Sequence, residues 1–124
     1  MEIVESKLVI LLKTFSKQEF ERLEKFVNSP FFNSSGQMVT LFNLLKTDHP
    51  EYKTLTKEKI FSEFYPKEGY KDKKVRDLLS RMLELAQIFL SQLEFDKKEN
   101  TVNYYVMRQL IERKLERHFK SRYK

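Results

Sequence analysis

The two histidines are the residues of this chain best suited to act as general bases or metal ligands. His49 lies beside Asp48 and close to Glu51, and His118 follows Arg117 in a basic segment. Neither histidine has the spacing of a zinc motif such as H-E-x-x-H. We therefore interpret His49 as part of a proline-containing surface turn and His118 as a polar residue near a helix end.

Three closely spaced glutamates, Glu19, Glu21 and Glu24, are the nearest approach to a paired-carboxylate site. Such a site needs a pocket that holds a substrate between two carboxyl groups, and Glu19 is better explained as a helix-capping residue. The chain has no cysteine, and its two glycines are too few for a phosphate-binding loop. We therefore predict no catalytic residue, no metal site and no cofactor, and we predict that the protein is not an enzyme.

The elements that carry these residues are predicted to be helices. Only two glycines and three prolines occur, and all five lie between segments with helical periodicity. No segment alternates apolar and polar residues over the length of a strand between turn signals. The pattern therefore predicts an all-α fold.

The second predicted helix has the clearest start. Ser16 and Glu19 have the spacing of a capping box, and Phe15 and Phe20 occupy the flanking positions of a hydrophobic staple. Pro30 then prevents the helix from continuing. The whole pattern predicts six helices. The first three are about Glu2 to Thr14, Ser16 to the residues before Pro30, and about Gly36 to Thr47, which is capped by Ser34 or Ser35. The fourth is short, capped by Thr56 and stopped by Pro66; the fifth is about Lys73 to Phe95, capped by Asp72; and the sixth runs from about Val102 toward the C-terminus.

The fifth predicted helix carries apolar residues over most of its circumference between Val75 and Leu93. A helix of this kind is typically central and enclosed by its neighbours. We predict a six-helix bundle with a long C-terminal antiparallel helical hairpin. Residues 1–124 then form a single helical domain, in which a smaller N-terminal bundle, 1–66, packs on the hairpin, 72–124.

Phe31 and Phe32 follow Pro30 in the turn between the second and third predicted helices. In one interpretation, one ring seals the gap between these helices and the other ring is half exposed. In the alternative, the pair anchors a partner, as aromatic residues do at the centres of protein interfaces. Tyr65 and Tyr70, which flank the loop after the fourth predicted helix, are further candidate partner-binding residues.

The net charge of +6 comes entirely from the second half of the chain. Residues 1–66 hold nine basic and nine acidic groups, whereas residues 67–124 hold fifteen basic and nine acidic groups. These bases either form a solvated face or meet an anionic partner such as a nucleic acid. The candidate anion contacts are Lys71, Lys73, Lys74, Arg76, Arg81, Arg113 and Arg117.

The C-terminal segment 107–124 has seven basic and two acidic residues. Its apolar residues have helical spacing, so it is predicted to be a basic amphipathic helix. Such a helix packs on the fifth helix with its charges in water, or binds a partner or a membrane surface. The predicted apolar stripe consists of Met107, Ile111, Leu115 and Phe119.

Two segments, FSKQEFERLEKFVNSPFFN and LTKEKIFSEFYPKEGYKDKKVRDLLSRMLELAQIFL, together resemble the N-terminal region of large, uncharacterised bacterial α-helical proteins. In that family a similar block precedes further helical hairpins of tetratricopeptide-like kind. The resemblance covers about residues 5–95. It implies a helical fold in a short member or an N-terminal part of a longer protein, and it implies no known activity or site.

A second resemblance concerns EKIFSEFYP followed by KKVRDLLSRML, which is similar to the helix–helix pattern of the winged-helix effector domain in bacterial transcriptional activators. That resemblance implies a second helix that enters the major groove of DNA. The sequence departs from the domain at LELAQIFLSQLEF, which continues the helix where the domain has a β-wing.

These observations favour a non-catalytic protein–protein interaction or scaffold module with a protein partner, and a homodimer is one form of it. The alternative is a nucleic-acid-binding helical domain that uses segment 67–81 and the C-terminal helix. The longest apolar run near the N-terminus, Leu8–Leu12, is too short for a signal peptide and follows acidic residues. We therefore expect a cytoplasmic protein without a membrane span.

Overall fold

A computed structural model describes residues 2–122, apart from the side chain of Phe119. The described residues are all-helical and contain no strand, as predicted. None of their helices is long and apolar enough to cross a membrane. After a 3₁₀ turn at Ile3–Glu5, the α-helices are α1 (Lys7–Leu12), α2 (Lys17–Val27), α3 (Gly36–Asp48), α4 (Lys57–Phe64), α5 (Asp72–Asp96), α6 (Glu99–Glu112) and α7 (Glu116–Arg122).

The prediction of six helices is wrong, because two of the predicted helices are broken. The first breaks at Ser6, whose backbone is extended and whose Oγ accepts a hydrogen bond from the Val9 N–H at 3.3 Å. Ser6 therefore caps α1, and the residues before it form only a 3₁₀ turn. The last predicted helix breaks at Lys114, which has a positive φ of 58° and separates α6 from α7.

The start of α2 confirms the predicted capping box. The Glu19 N–H donates to Ser16 Oγ at 3.1 Å, and the Ser16 N–H donates to Glu19 Oε1 at 2.9 Å. Ser35 and Thr56 likewise cap α3 and α4 through their side chains. Asp72, however, is the first residue of α5, and its carboxylate binds side chains of other residues.

The contacts of the chain fall into two units, residues 1–89 and residues 90–124. Within the described part of the first unit, apolar side chains from α1 to α5 form a core. Phe20 stacks on Phe42 with ring centroids 5.1 Å apart, and Phe26 lies 5.5 Å from Phe89. The most deeply buried large side chains of this unit are Leu8, Leu12, Leu23, Met38, Leu41, Phe42, Leu45, Ile60 and Met82.

The expectation that α5 is enclosed on all sides is wrong. Its buried residues lie three or four positions apart and form a single stripe on one side of the helix. Leu83 and Leu85 are half-buried, and Ile88 is exposed. The stripe consists of Val75, Leu78, Leu79, Met82, Ala86, Phe89 and Leu93.

The second unit contains the end of α5, together with α6 and α7. None of the side chains of α6 is buried, and Leu93 is the one buried residue in the described range 90–122. Phe95 and Tyr105 bring α5 and α6 together within this unit, with ring centroids 5.7 Å apart. The Arg122 guanidinium donates to Asn103 Oδ1 at 2.6 Å, which ties α7 to α6.

Candidate functional site

Phe31 is the most exposed large apolar residue of the described chain. Its side chain is 89% accessible to solvent, while the neighbouring Phe32 is 43% accessible. The two rings meet edge to face at 5.2 Å, and Phe32 stacks on Phe26 at 4.5 Å. Phe32 therefore packs against Phe26 of α2 but stays partly exposed, and Phe31 projects much further into solvent than either ring was expected to in the first interpretation.

The loop that presents Phe31 is held by hydrogen bonds within its own chain segment. The side-chain amide of Asn33 donates to the carbonyl groups of Val27 at 2.8 Å and Ser35 at 3.2 Å, and its oxygen accepts from the Ser35 N–H at 3.0 Å. The N–H groups of Phe32 and Asn33 both donate to the Ser29 carbonyl. Phe31 is therefore held on an ordered turn between α2 and α3.

The exposed ring is also connected to the core through a series of aromatic contacts. Phe26, beneath Phe32, lies 5.5 Å from Phe89, which in turn lies 6.0 Å from Phe15. Phe31 thus contacts Phe32, which packs on the buried rings Phe26, Phe89 and Phe15. We call Phe31 and Phe32 the aromatic loop.

Tyr65 and Tyr70, the other candidate partner-binding residues, form a separate cluster around Phe61. Their rings lie 5.2 Å and 5.4 Å from the Phe61 ring, and the Lys74 ammonium is 4.3 Å from the centroid of Tyr65. The Tyr70 hydroxyl donates to Asp72 at 2.9 Å. Desolvation and the carboxylate of Asp72 raise the pKa of Tyr70 to about 12.

The basic segment before and at the start of α5 is balanced by acidic neighbours. Lys74 binds Glu68 at 2.7 Å, and Lys71 lies 4.0 Å from the same carboxylate. The hydrogen bond from Lys74 lowers the pKa of Glu68. Arg76 binds Asp72 at 2.9 Å, so three of the candidate anion contacts already have a carboxylate partner.

The remaining candidates differ in their contacts. Arg81 donates to Gln37 Oε1 at 2.9 Å and to Ser35 Oγ at 3.1 Å, so it links α5 to the start of α3. Lys73 is exposed and forms no ion pair with the described residues. Arg113 donates to Gln109 at 3.3 Å, and Arg117 lies exposed on α7.

Lys57 is a residue that the sequence did not single out. It is buried, at 8% accessibility, and its ammonium donates to Asp72 at 3.2 Å. The hydrogen bond from Tyr70, followed by the contact with Lys57, lowers the pKa of the Asp72 carboxyl. These contacts link the first turn of α4 to the first turn of α5, and they give Asp72 a structural role in place of the predicted cap.

His49 is more closely packed than a surface turn would be. Its ring stacks on Phe20 with a centroid distance of 3.8 Å, and its Nδ1 is 2.8 Å from the hydroxyl of the buried Tyr52. Burial lowers the pKa of His49 below its ordinary value, which favours the neutral imidazole. The arrangement therefore holds a neutral ring that fills a structural position.

A shallow groove of about 490 Å³ adjoins His49. Its apolar residues include Phe20 and Pro50, and its charged residues include Glu24 and Lys46, which bind each other at 2.7 Å. Glu24 and Lys46 therefore neutralise each other, and the groove also contains Lys17 and Glu21. Within residues 2–122, no three side chains of the metal-binding types are grouped so that they could hold a metal ion.

Comparison with protein-family profiles, with curated proteins and with solved structures finds no match to this chain. The function must therefore be inferred from the side chains described above.

Proposed function

We propose that this chain is a non-catalytic protein–protein interaction or scaffold module, and that the aromatic loop is its principal contact surface. The observation that supports this proposal is the exposure of Phe31, a large apolar side chain at 89% accessibility on a loop fixed by Asn33. Aromatic residues are enriched among those that dominate binding energy. The backbone that presents this ring is already held by hydrogen bonds, which lowers the entropy lost on binding.

The test compares three purified baits: the wild type, Phe31→Ala and Ile10→Ala. Ile10 is a matched control because it is an exposed apolar residue of the same unit, at 57% accessibility on α1. We expect at least one protein that wild type and Ile10→Ala recover equally from lysate of the source cells, and that Phe31→Ala recovers about tenfold less. Equal recovery by all three baits would count against the proposal.

The second candidate is a nucleic-acid-binding domain that uses segment 67–81 and the C-terminal helix. The excess positive charge of residues 67–124 favours it, whereas the carboxylate partners of Lys71, Lys74 and Arg76 weaken it. Phosphate contacts predict an affinity that falls steeply as salt rises. A shift assay with DNA and RNA at low salt that shows no complex would remove this candidate.

We propose, from the resemblance, that residues 5–95 are related to the N-terminal region of bacterial tetratricopeptide-like helical proteins. We further propose a single domain in which bundle 1–66 packs on an antiparallel hairpin 72–124, a cytoplasmic location, and a homodimer as one form of the interaction module.

A further inference from the structure

An apolar stripe along α6 is exposed or half-buried in the described part of the chain. None of the residues of α6 is buried, and Ile111 and Tyr104 are 60% and 48% accessible. Positions i, i+3 and i+7 of a helix share one face, so Tyr104, Met107 and Ile111 lie along one side of α6. We call these three residues the α6 stripe. The fourth residue of the predicted C-terminal stripe, Phe119, lies outside the described side chains.

The α6 stripe adjoins a shallow depression, open to solvent, at the turn between α6 and α7, which we call the cavity. The cavity has a volume of about 320 Å³ and contains Ile111 in its wall, together with Leu110, Lys114, Leu115 and Glu116. This volume lies at the lower end of the range for ligand-binding pockets. It is sufficient for one or two apolar side chains of a partner.

The turn beside the cavity has the geometry of a Schellman motif. The Leu115 N–H donates to the Leu110 carbonyl at 2.9 Å, and the Lys114 N–H donates to the Ile111 carbonyl at 3.0 Å. The residue with positive φ in this motif is usually glycine, because a Cβ is unfavourable there. Here the position is Lys114, with φ 58°, so a strained backbone holds a cationic residue at the cavity wall. Strain of this kind is concentrated at functional sites.

The surroundings of the cavity are positively charged. Residues 90–124 contain nine basic and five acidic groups. Arg108 lies 3.7 Å from Glu112, and Lys120 lies 3.1 Å from Glu116. Lys114 forms no ion pair with the described residues, and the same is true of Arg117 on α7, so these two cations remain available to a partner.

We propose that the α6 stripe and the adjoining cavity bind an acidic amphipathic helix of another protein. An amphipathic helix places apolar anchors at i, i+3 or i+4 and i+7 into such a groove, which matches the spacing of the α6 stripe. Acidic residues that flank those anchors would meet Lys114 and Arg117, and charge complementarity of this kind favours one partner over others.

The charges near the cavity and the spacing of the α6 stripe favour an acidic amphipathic helix over a second copy of the chain, a lipid surface or a nucleic acid. A second copy of the chain would bring a positively charged unit against the same positively charged unit, which is unfavourable. A lipid surface or a nucleic acid would not place apolar side chains at helical spacing against the α6 stripe. The site lies in residues 90–122 and does not depend on the aromatic loop, so this proposal goes beyond the function proposed above.

The experiment measures binding of the full chain to a synthetic amphipathic peptide of about 16 residues, with leucines at the helical spacing and glutamates on both flanks. A second peptide carries lysines in place of the glutamates. At about 150 mM salt, we expect the glutamate peptide to bind at least about tenfold more tightly than the lysine peptide. Equal binding of the two peptides would overturn the proposal.

Three variants locate the site. Ile111→Asp should weaken the glutamate peptide about tenfold, whereas Ile10→Asp, at a similarly exposed isoleucine of α1, should leave its affinity unchanged. Lys114→Gly should weaken it several-fold without lowering the melting temperature, because glycine suits the backbone at this position. Loss of binding in Ile10→Asp, or unchanged binding in Ile111→Asp, would place the peptide elsewhere and overturn the proposal.

Three further measurements test the other occupants. We compare wild type and Ile111→Asp in three assays. These are binding to vesicles that contain phosphatidylglycerol, binding to a DNA duplex, and self-association measured by sedimentation of the protein alone. The proposal expects no difference in these three measurements. The proposal would be overturned if Ile111→Asp reduced vesicle binding, DNA binding or self-association but left binding of the glutamate peptide unchanged.

Discussion

The two units of this molecule use similar helices but bury their apolar residues to very different extents. In residues 2–89, five helices supply a core in which Leu23, Leu41 and Leu45 are fully buried. In residues 90–122, α6 has helical periodicity of apolar residues as well, yet none of its side chains is buried. The difference shows that amphipathic periodicity produces a core only where several apolar faces converge.

This difference in burial also accounts for the two kinds of exposed apolar surface on the molecule. In the first unit most large apolar side chains pack against one another in the core. Phe31 is exposed because the hydrogen-bonded loop directs its ring away from that core. In the second unit none of the side chains of α6 is buried. One surface is therefore a single projecting ring, and the other is an extended apolar face.

The largest expected effect is the loss of stability when a leucine is truncated in each of the two units. Leu41→Ala should lower the free energy of unfolding by about 2–5 kcal/mol, because it leaves a cavity at a fully buried position. The matched change Leu110→Ala, at a half-buried position of α6, should cost about 1 kcal/mol. Urea denaturation followed by circular dichroism measures both. Equal losses would break the comparison.

The next effect sharpens the comparison within the aromatic loop. Phe32→Ala should lower the free energy of unfolding by about 1–2 kcal/mol, because it removes a half-buried ring that stacks on Phe26. Phe31→Ala should change it by less than about 0.5 kcal/mol. Thermal or chemical denaturation distinguishes the two. A larger loss for Phe31→Ala would show that Phe31 is a structural residue.

A third prediction concerns the starts of helices in the two units. Ser16→Ala should destabilise the chain by about 1 kcal/mol, since it removes one half of the capping box at α2. Lys98, at the start of α6, makes no side-chain cap, so Lys98→Ala should cost less than about 0.5 kcal/mol. Chemical denaturation of the two variants would contradict this prediction if their order were reversed.

The smallest expected effect is the pH dependence that His49 contributes to the first unit. Its folded-state pKa lies below the ordinary value of 6.5 because the ring is buried. The unfolded chain therefore takes up this proton at a higher pH than the folded chain, and stability is lost as pH falls through 6.5 toward the folded pKa.

Melting temperatures measured from about pH 8 to about pH 5 test this contribution. His49→Gln removes the titrating group, so the wild type should lose more stability than this variant over the range. Parallel curves for the two proteins would show that His49 does not contribute to the pH dependence.

The sequence was sufficient for the features that depend on neighbouring residues. The capping box of Ser16 and Glu19, the cap at Thr56 and the all-helical class follow from contacts three or four residues apart, whereas the sequence left the cap of α3 open between Ser34 and Ser35. The break at Lys114 was not predictable in this way, because lysine there replaces the glycine that usually marks the end of a helix.

The candidate site was predicted only in part. Phe31 and Phe32 stood out as paired aromatic residues after Pro30, but local spacing could not decide that Phe32 stacks on Phe26 while Phe31 is almost fully exposed. By its sequence, Lys57 is an ordinary polar residue of α4. Its buried ammonium binds Asp72, which lies fifteen positions away, and local periodicity does not reveal a partner at that distance.

By itself, the sequence determined the helical class, the main caps and the positive charge of the second half, because these depend on residue type and short-range spacing. Tertiary structure alone decided which apolar faces became buried. That outcome placed Phe20 under His49, left Phe31 in solvent and left none of the α6 side chains buried. The physical reason is that burial depends on which distant faces meet, and apolar surface is stabilised only where another surface excludes water from it.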